Sequence, residues 1–482
     1  MNSLWGMLGK PAVPRVDTDD VYPLHMLDNT KTLRSIVVTW TLRFDDVLDA
    51  DKLHNALARL LDMSDWRKLG GRMRLSEKGV AEIHVPRLFT ADRPPVAFSC
   101  ETHTMGIEEH ELAQTLPKAT DELSIQRDPG DFLAFAARHD APQTPDDFLY
   151  YDVPLLSLHV TAFTNATLVG LSWPHALMDV MGQQALLRAW SLVLAGREVD
   201  VPAVLGARED ALCAAADASG SAEELKVAKQ QLKGISLMRF GLRFAWDMVS
   251  GPAAEGRTIY MPASTLMALR QEAEGDLAVA GEAPFISDGD VLTAWAARAV
   301  AVSLPQPRPV TVLHAVNARF RLPALVNAPG VFIQNMAVAG FTLLSAAEAT
   351  GPLGAIAVAN RRHLSEQASE GQILACVREL RRDTAGDPRV LCGPSDALLL
   401  PMTNWARADV FNSADFSAAV VRPGPTGNPG RVVYHHADAM RPSASTRNVF
   451  VVLGKDHRGG YWMSAKLPLA AWDRLASVLR IE

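Results

Sequence analysis

Two rhythms of apolar and polar positions alternate along the chain. Residues 32–44 (TLRSIVVTWTLRF) are rich in β-branched side chains and alternate in their second half, which predicts a strand. Residues 49–61 then place Leu53, Leu57, Leu60 and Leu61 at i, i+4, i+7 and i+8 behind capping aspartates, the spacing of an amphipathic helix. Residues 80–85 read as another strand, and the polar, Pro-containing tract 117–148 as a long irregular connection of the kind that borders pockets. Residues 156–164 and 167–173 predict a hairpin turning at Asn165, its second strand running straight into Pro174-His175. Asp179 can cap the helix that follows, where Ala185, Leu186, Ala189, Trp190 and Leu192 suit one face.

Between residues 199 and 255 the chain turns rich in Ala, Glu and Lys, with one helical stretch and no strand periodicity, which marks a crossover linker. The strand and helix rhythm then restarts, with strands at 258–262, 310–316 and 336–341 and helices at 264–274, 288–304 and 345–366. A closing hairpin (448–454 with 461–467) and a helix at 468–480 end it. No internal repeat is visible, which argues against a solenoid or propeller. The pattern predicts two halves, residues 1–198 and 256–482, joined by the linker, each of strands followed by helices, an α/β or α+β arrangement.

A chain of 482 residues is longer than one core usually supports, in keeping with two domains. Hydrophobic residues at 48% and charged residues at 21% are those of a globular protein with a sizeable core. A net charge of -7 argues against nucleic acid as a partner, which demands a dense basic surface. Cys100, Cys213, Cys376 and Cys392 are far apart and form no CxxC pair, so they read as reduced thiols, mostly buried. Residues 1–20 do not resemble a secretory signal, and no apolar run approaches the ~20 residues of a membrane helix. A cytoplasmic location is the default expectation.

His175 holds the best position for chemistry, at a rigid strand-to-helix connection where neutral imidazole can take a proton from a hydroxyl or amine. A core histidine donating to a backbone carbonyl fits the same pattern. Asp179, four residues on, can pair with His175, cap the helix or form a salt bridge. A metal role is weaker, because no third and fourth ligand accompany the pair. His435, His436 and Asp438 read as an exposed polar cluster, usually incidental, and residues 424–430 (GPTGNPG) as a turn-rich loop rather than a phosphate cradle. No GxSxG elbow, Walker loop or dinucleotide fingerprint occurs, which favours direct transfer over a covalent enzyme intermediate.

Several of these segments, in order, resemble those of the BAHD acyltransferases, coenzyme A-dependent enzymes of plants and fungi. Gly70-Gly71-Arg72-Met73 is similar to the family's AGRL-like segment and WPHALMDVMG to its HxxxDG site. SDGDVLTAWAARA at 287–299 resembles the helix opening the second domain, VNARFRL at 316–322 the N-x-R-x-R strand end, and GVFIQN at 330–335 the GYFGN segment. Thr403-Asn404-Trp405 and Asp415-Phe416-Ser417 resemble the T-S-W and DFGWG stretches. Val180 stands where the family usually has glycine, with Gly182 two positions later, and Ser417-Ala418-Ala419 replace GWG. The second change lies away from the chemistry, so its consequence is expected at the domain interface or in cofactor access.

The resemblance implies two chloramphenicol-acetyltransferase-like α/β domains, mixed sheets flanked by helices, meeting at a solvent channel. Acyl-CoA, with acetyl-CoA the first guess, enters as co-substrate rather than as a tightly bound cofactor, and a hydrophobic secondary metabolite such as a terpenoid or polyketide offers the acceptor hydroxyl. It implies His175 as general base, Trp405 and Thr403 near the acyl carbonyl, and a structural Asp179 whose arginine partner the sequence does not identify. Asp415 is expected to meet Arg319 or Arg321, and Ser287, at a helix start, to lie near coenzyme A. Neither a metal nor a second subunit is required, so a monomer is expected. Two readings compete: a non-catalytic or repurposed member of this fold, and a peptide-synthetase condensation domain, whose HHxxxDG site differs here by Pro174 before His175.

Overall fold

The computed structural model describes residues 13–477, except 221–222, 282–283, 383–389, 426 and 444–445. Most of residues 1–20 and the end of the helix expected at 468–480 therefore lie outside the described residues. Two mixed sheets organise the chain. The first has five strands in the order Tyr434–Ala439, Val37–Phe44, Thr167–Pro174, Ser157–Ala162, Ala97–Thr102. The second has seven, in the order Ala337–Leu344, Val310–Asn317, Leu398–Asn404, Val449–Lys455, Tyr461–Pro468, Ala254–Met261, Ser124–Gln126.

Each sheet borrows an edge strand from the other half of the sequence. Ser124–Gln126 lies in the tract read as irregular, yet it pairs antiparallel with Ala254–Met261. Tyr434–Ala439 comes from the end of the chain and pairs along its whole length with Val37–Phe44. Short strands carry no legible periodicity of their own, so such long-range pairings are decided by the sheet they complete.

Thr167–Pro174 is buried at every position, which is why its sequence reads as an apolar run rather than an alternation. Gly170 is required there, since a Cβ would sit 2.5 Å from the Phe135 carbonyl oxygen. The helix Val180–Leu194 packs against the helix Ala50–Leu60, with Leu186, Leu187, Ala189 and Trp190 all buried and Trp190 Nε1 donating to the Leu53 carbonyl at 3.0 Å. In the second half the Ala-rich helix Asp288–Val302 is buried on almost every face, packed against Leu353–Gln367. Two expected elements are divided. Residues 31–34 form a helical turn capped by Thr30 before the strand starts at Val37. The helix expected at 345–366 breaks into Ala346–Ala349 and Leu353–Gln367 at Gly351-Pro352, where proline cannot continue the first segment.

Candidate active site

His175 sits just after the strand Thr167–Pro174 and before the helix Val180–Leu194, as its sequence context implies. The loop is tied down from several directions. The His175 backbone N–H donates to the Ile36 carbonyl at 2.9 Å, and Trp173 Nε1 donates to the Met178 carbonyl at 3.3 Å. Asn335 Nδ2 donates to the His175 carbonyl at 2.9 Å. His175 Nδ1 is enclosed, with its own carbonyl and the Asn335 amide as polar neighbours, and makes no hydrogen bond of normal geometry. Burial lowers the His175 pKa below the ordinary histidine value, and the negative charges of Asp179 and Asp28 oppose that only in part. The ring is therefore neutral at pH 7, as a base must be.

Asp179 does not face His175. Its Oδ1 caps the helix, accepting from Met181 N at 3.1 Å and Gly182 N at 3.0 Å. Its Oδ2 accepts from Arg319 Nη1 at 2.7 Å and from Met336 N at 3.1 Å. Arg319 is thus the partner that the sequence did not identify. It is buried on the turn Ala318–Phe320 and also donates to the carbonyls of Phe332, at 3.0 Å, and Gln334. Gly182 explains the displaced glycine of the motif: a Cβ there would lie 2.2 Å from the Ile333 carbonyl oxygen, so the helix start and residues 332–336 meet backbone to backbone.

The expectation that Arg319 or Arg321 meets Asp415 is corrected by the structure. Arg319 is committed to Asp179, Arg321 is exposed, and Asp415 pairs with Arg431 at 2.9 Å. Asp415 and Arg431 are neighbours across an isolated β-bridge, which brings this arginine to the carboxylate first. His435 and His436 also differ from their reading as exposed. They are buried on the strand Tyr434–Ala439, where burial drives both pKa values down to about 3, and His435 Nδ1 accepts from Trp40 Nε1 at 3.2 Å. Among the described residues no cluster of His, Cys, Asp or Glu could hold a metal ion.

Behind His175 lies a buried polar cluster that sequence reasoning missed. Asp28 Oδ1 accepts from both the backbone N–H and the side-chain Nδ2 of Asn335, each at 2.8 Å, and Oδ2 accepts from His25 N at 3.3 Å. Lys68, fully buried, donates to the Ala207 carbonyl at 3.2 Å and supplies the opposing charge. Burial pushes the Asp28 carboxyl up and the Lys68 ammonium down, and each favours the charged form of the other. Asn335 lay in view as the last residue of GVFIQN. Lys68 gave one further signal, a lysine amid Trp66, Leu69 and two glycines, but nothing local links it to Asp28.

Thr403 lies at the end of the strand Leu398–Asn404 and Trp405 directly follows it, with Trp405 N donating to the Val452 carbonyl at 2.8 Å. The Trp405 ring stacks on Trp40 with centroids 5.0 Å apart, and Trp40 in turn lies 6.4 Å from Trp173, two residues before His175. One aromatic column therefore joins the second sheet to the base of the His175 loop. Ser287 is the N-cap of Asp288–Val302, its hydroxyl donating to Asp290 at 2.7 Å in a capping box.

The site is thus a histidine whose charged form burial disfavours, on a loop tied to both halves of the sequence. Comparison with known proteins gives the class of enzyme. The chain is 38% identical over 480 residues to the O-acetyltransferase PaAT-2 of Phomopsis amygdali, covering 95% of this chain and 97% of that one. It is 35% identical over 489 residues to the acetyltransferase pyiB of Pyricularia grisea, covering 99% and 97%. The fold matches TRI101 of F. sporotrichioides, solved with coenzyme A and T-2, at a TM-score of 0.67 and 16% identity, over 95% of this chain and 97% of that one. No family model matches the sequence. The chain belongs to the BAHD-type acyltransferases, among relatives that are fungal acetyltransferases.

Proposed function

We propose that His175 is the general base in transfer of an acyl group, acetyl first among the candidates, from acyl-CoA to a hydroxyl of a hydrophobic secondary metabolite. The observation that carries this reading is the His175 ring itself: kept neutral by burial, on a loop fastened from both halves of the protein. With the proton on the enclosed Nδ1, Nε2 offers its lone pair to the acceptor. Nε2 takes the hydroxyl proton as the oxygen attacks the thioester carbonyl, and the tetrahedral intermediate expels the thiolate, which receives that proton from the imidazolium. Trp405 Nε1 and the Thr403 hydroxyl are the candidate donors to the oxyanion, a contribution of about 3 kcal/mol where water is excluded. Asp179 and Arg319 hold the loop and do not touch the reacting atoms. The helix start at Ser287 is the neighbour assigned to coenzyme A, although the Ser287 hydroxyl itself is used by the cap.

Relatives named acetyltransferases support the acetyl donor, and TRI101, solved with coenzyme A and the mycotoxin T-2, supports a hydrophobic acceptor beside coenzyme A. The test is release of free thiol from acetyl-CoA and longer acyl-CoAs, with and without a pool of terpenoid and polyketide alcohols. Release that needs an acceptor and falls at least about a hundredfold in His175→Ala is expected. Unchanged release in that variant refutes the assignment.

A further inference from the structure

The crossover helix Gly234–Ser250 turns an apolar face outward. Ile235, Met238, Leu242, Trp246 and Val249 are 74%, 59%, 66%, 63% and 87% exposed. Their spacing of three, four, four and three residues puts all five within an arc of about 80° on a helix of 100° per residue. The opposite face carries the attachment to the protein: Phe240 is buried and stacks on Phe244 at 6.3 Å, while Asp247 is held by Arg308 Nη1 at 2.8 Å and, through its carbonyl, by Arg447. A helix seated by one face that leaves a continuous apolar stripe on the other is the mark of a surface that meets something else.

Charge indicates what that is. Residues 225–246 hold Lys226, Lys229, Lys233, Arg239 and Arg243 and no acidic residue, in a chain whose net charge is -7. By the same helical arithmetic Arg239 and Arg243 border one edge of the stripe, and both are exposed, Arg243 with an ion pair to Asp247 at 3.2 Å. Tryptophan and leucine on one face with arginine at its rim is the chemistry of a helix lying in a lipid interface, apolar side chains among the acyl chains and guanidinium groups among headgroup phosphates. A second copy of the chain fits less well, because antiparallel pairing of the two stripes about a two-fold axis would set the arginine edges side by side.

We propose that this helix docks the enzyme peripherally on a bilayer containing anionic phospholipid. No helix among the described residues is long and apolar enough to cross a membrane. The inference is independent of the reading of His175, and it would bring the enzyme to the phase in which an apolar acceptor concentrates.

The experiment is flotation of the full-length protein with vesicles of phosphatidylcholine alone or with about 30% phosphatidylserine, at low and high salt. The wild type is expected to float with the anionic vesicles, and high salt to weaken this. Arg239→Gln and Arg243→Gln should each weaken binding about fivefold, and Leu242→Glu with Trp246→Glu should abolish it. Unaltered melting and thiol release in these variants show that they are folded. Equal flotation of wild type and the double glutamate variant overturns the proposal, as does failure of the wild type to float. Sedimentation velocity showing a dimer that Leu242→Glu dissociates also overturns it, and assigns the face to a second copy.

Discussion

Arg319→Ala removes the cation that joins the two halves behind the proposed base. The side chain makes bonds to Asp179, Phe332 O and Gln334 O, all in an interior where water does not replace it. Taking one partner from a buried ion pair costs about 3–5 kcal/mol, because the other charge stays behind unpaired. Asp179 retains three backbone donors, Met181, Gly182 and Met336, so the lower part of that range applies, about 3 kcal/mol. Urea unfolding at pH 7.5 measures the loss, and steady-state kinetics should show kcat falling about a hundredfold as the loop shifts. Two controls sharpen the comparison. Arg321→Ala, exposed two residues on, should stay within about 0.5 kcal/mol of wild type. Arg431→Ala breaks the Asp415 pair, whose side chains are 34% and 42% exposed, and should cost less than about 1 kcal/mol. A loss below about 1 kcal/mol in Arg319→Ala, with kcat unchanged, would refute the assignment of Arg319 as the fastener.

Asn335→Ala removes the donor to the His175 carbonyl and strips Asp28 of a bond; kcat should fall tenfold or more with the KM for acyl-CoA little changed, and a KM effect alone would count against it. Gly182→Ala forces a Cβ toward the Ile333 carbonyl and should destabilise by about 1–3 kcal/mol in the same unfolding assay, whereas a neutral result would show that the two backbones separate freely. Because the folded pKa of His175 is lowered, the acidic limb of kcat/KM should have its midpoint below pH 6.5, and a midpoint at 7 or above contradicts a buried neutral base. For stability the sign is set by buried histidines: burial lowers His314 to about 4 and His435 and His436 to about 3, so the unfolded chain protonates first. Their contribution is complete above about pH 6.5 and is lost as pH falls toward the folded values. Asp438, raised to about 6 by burial, works the other way, but the lowered His25, His54, His84, His159, His175 and His363 add to the histidine side, so urea midpoints should fall as pH drops from 6 to 4.

Local pattern showed most of the scaffold. The run into Pro174-His175, the cap at Asp179 and the helix after it were legible because strand hydrophobicity, capping chemistry and helical period all act within a dozen residues. The exchanged edge strands were not, since Tyr434–Ala439 is placed by pairing with a strand some 390 residues earlier. That blind spot made His435 and His436 look exposed. The site divides in the same way. His175 and Asp179 stood out by spacing, whereas Arg319 could be seen as an arginine of an N-x-R-x-R segment without showing which carboxylate it would meet. Asp28 and Lys68 lie outside the quoted motifs and converge only through the tertiary fold.

The altered Asp415-Phe416-Ser417-Ala418-Ala419 stretch ties distant parts of the sequence together. Although it belongs to the second half of the sequence, it is sewn into the first. The Phe416 ring is buried against Phe44, with centroids 5.2 Å apart, and Trp190 at 4.6 Å. The Ala419 carbonyl accepts from Asp49 N at 2.8 Å at the cap of Ala50–Leu60, and the Ala418 carbonyl accepts from Lys52 Nζ. These anchors use one aromatic side chain and backbone carbonyls, and the carbonyls are present whatever side chains stand at Ser417, Ala418 and Ala419. Gly430 closes the segment from the other side, at φ +76°, where a Cβ would lie 2.1 Å from the Ser417 backbone nitrogen, so only glycine fits at 430. The stretch thus fastens the halves, and the residues around His175 draw their order from a different set of contacts, those of Arg319, Asn335 and Asp28.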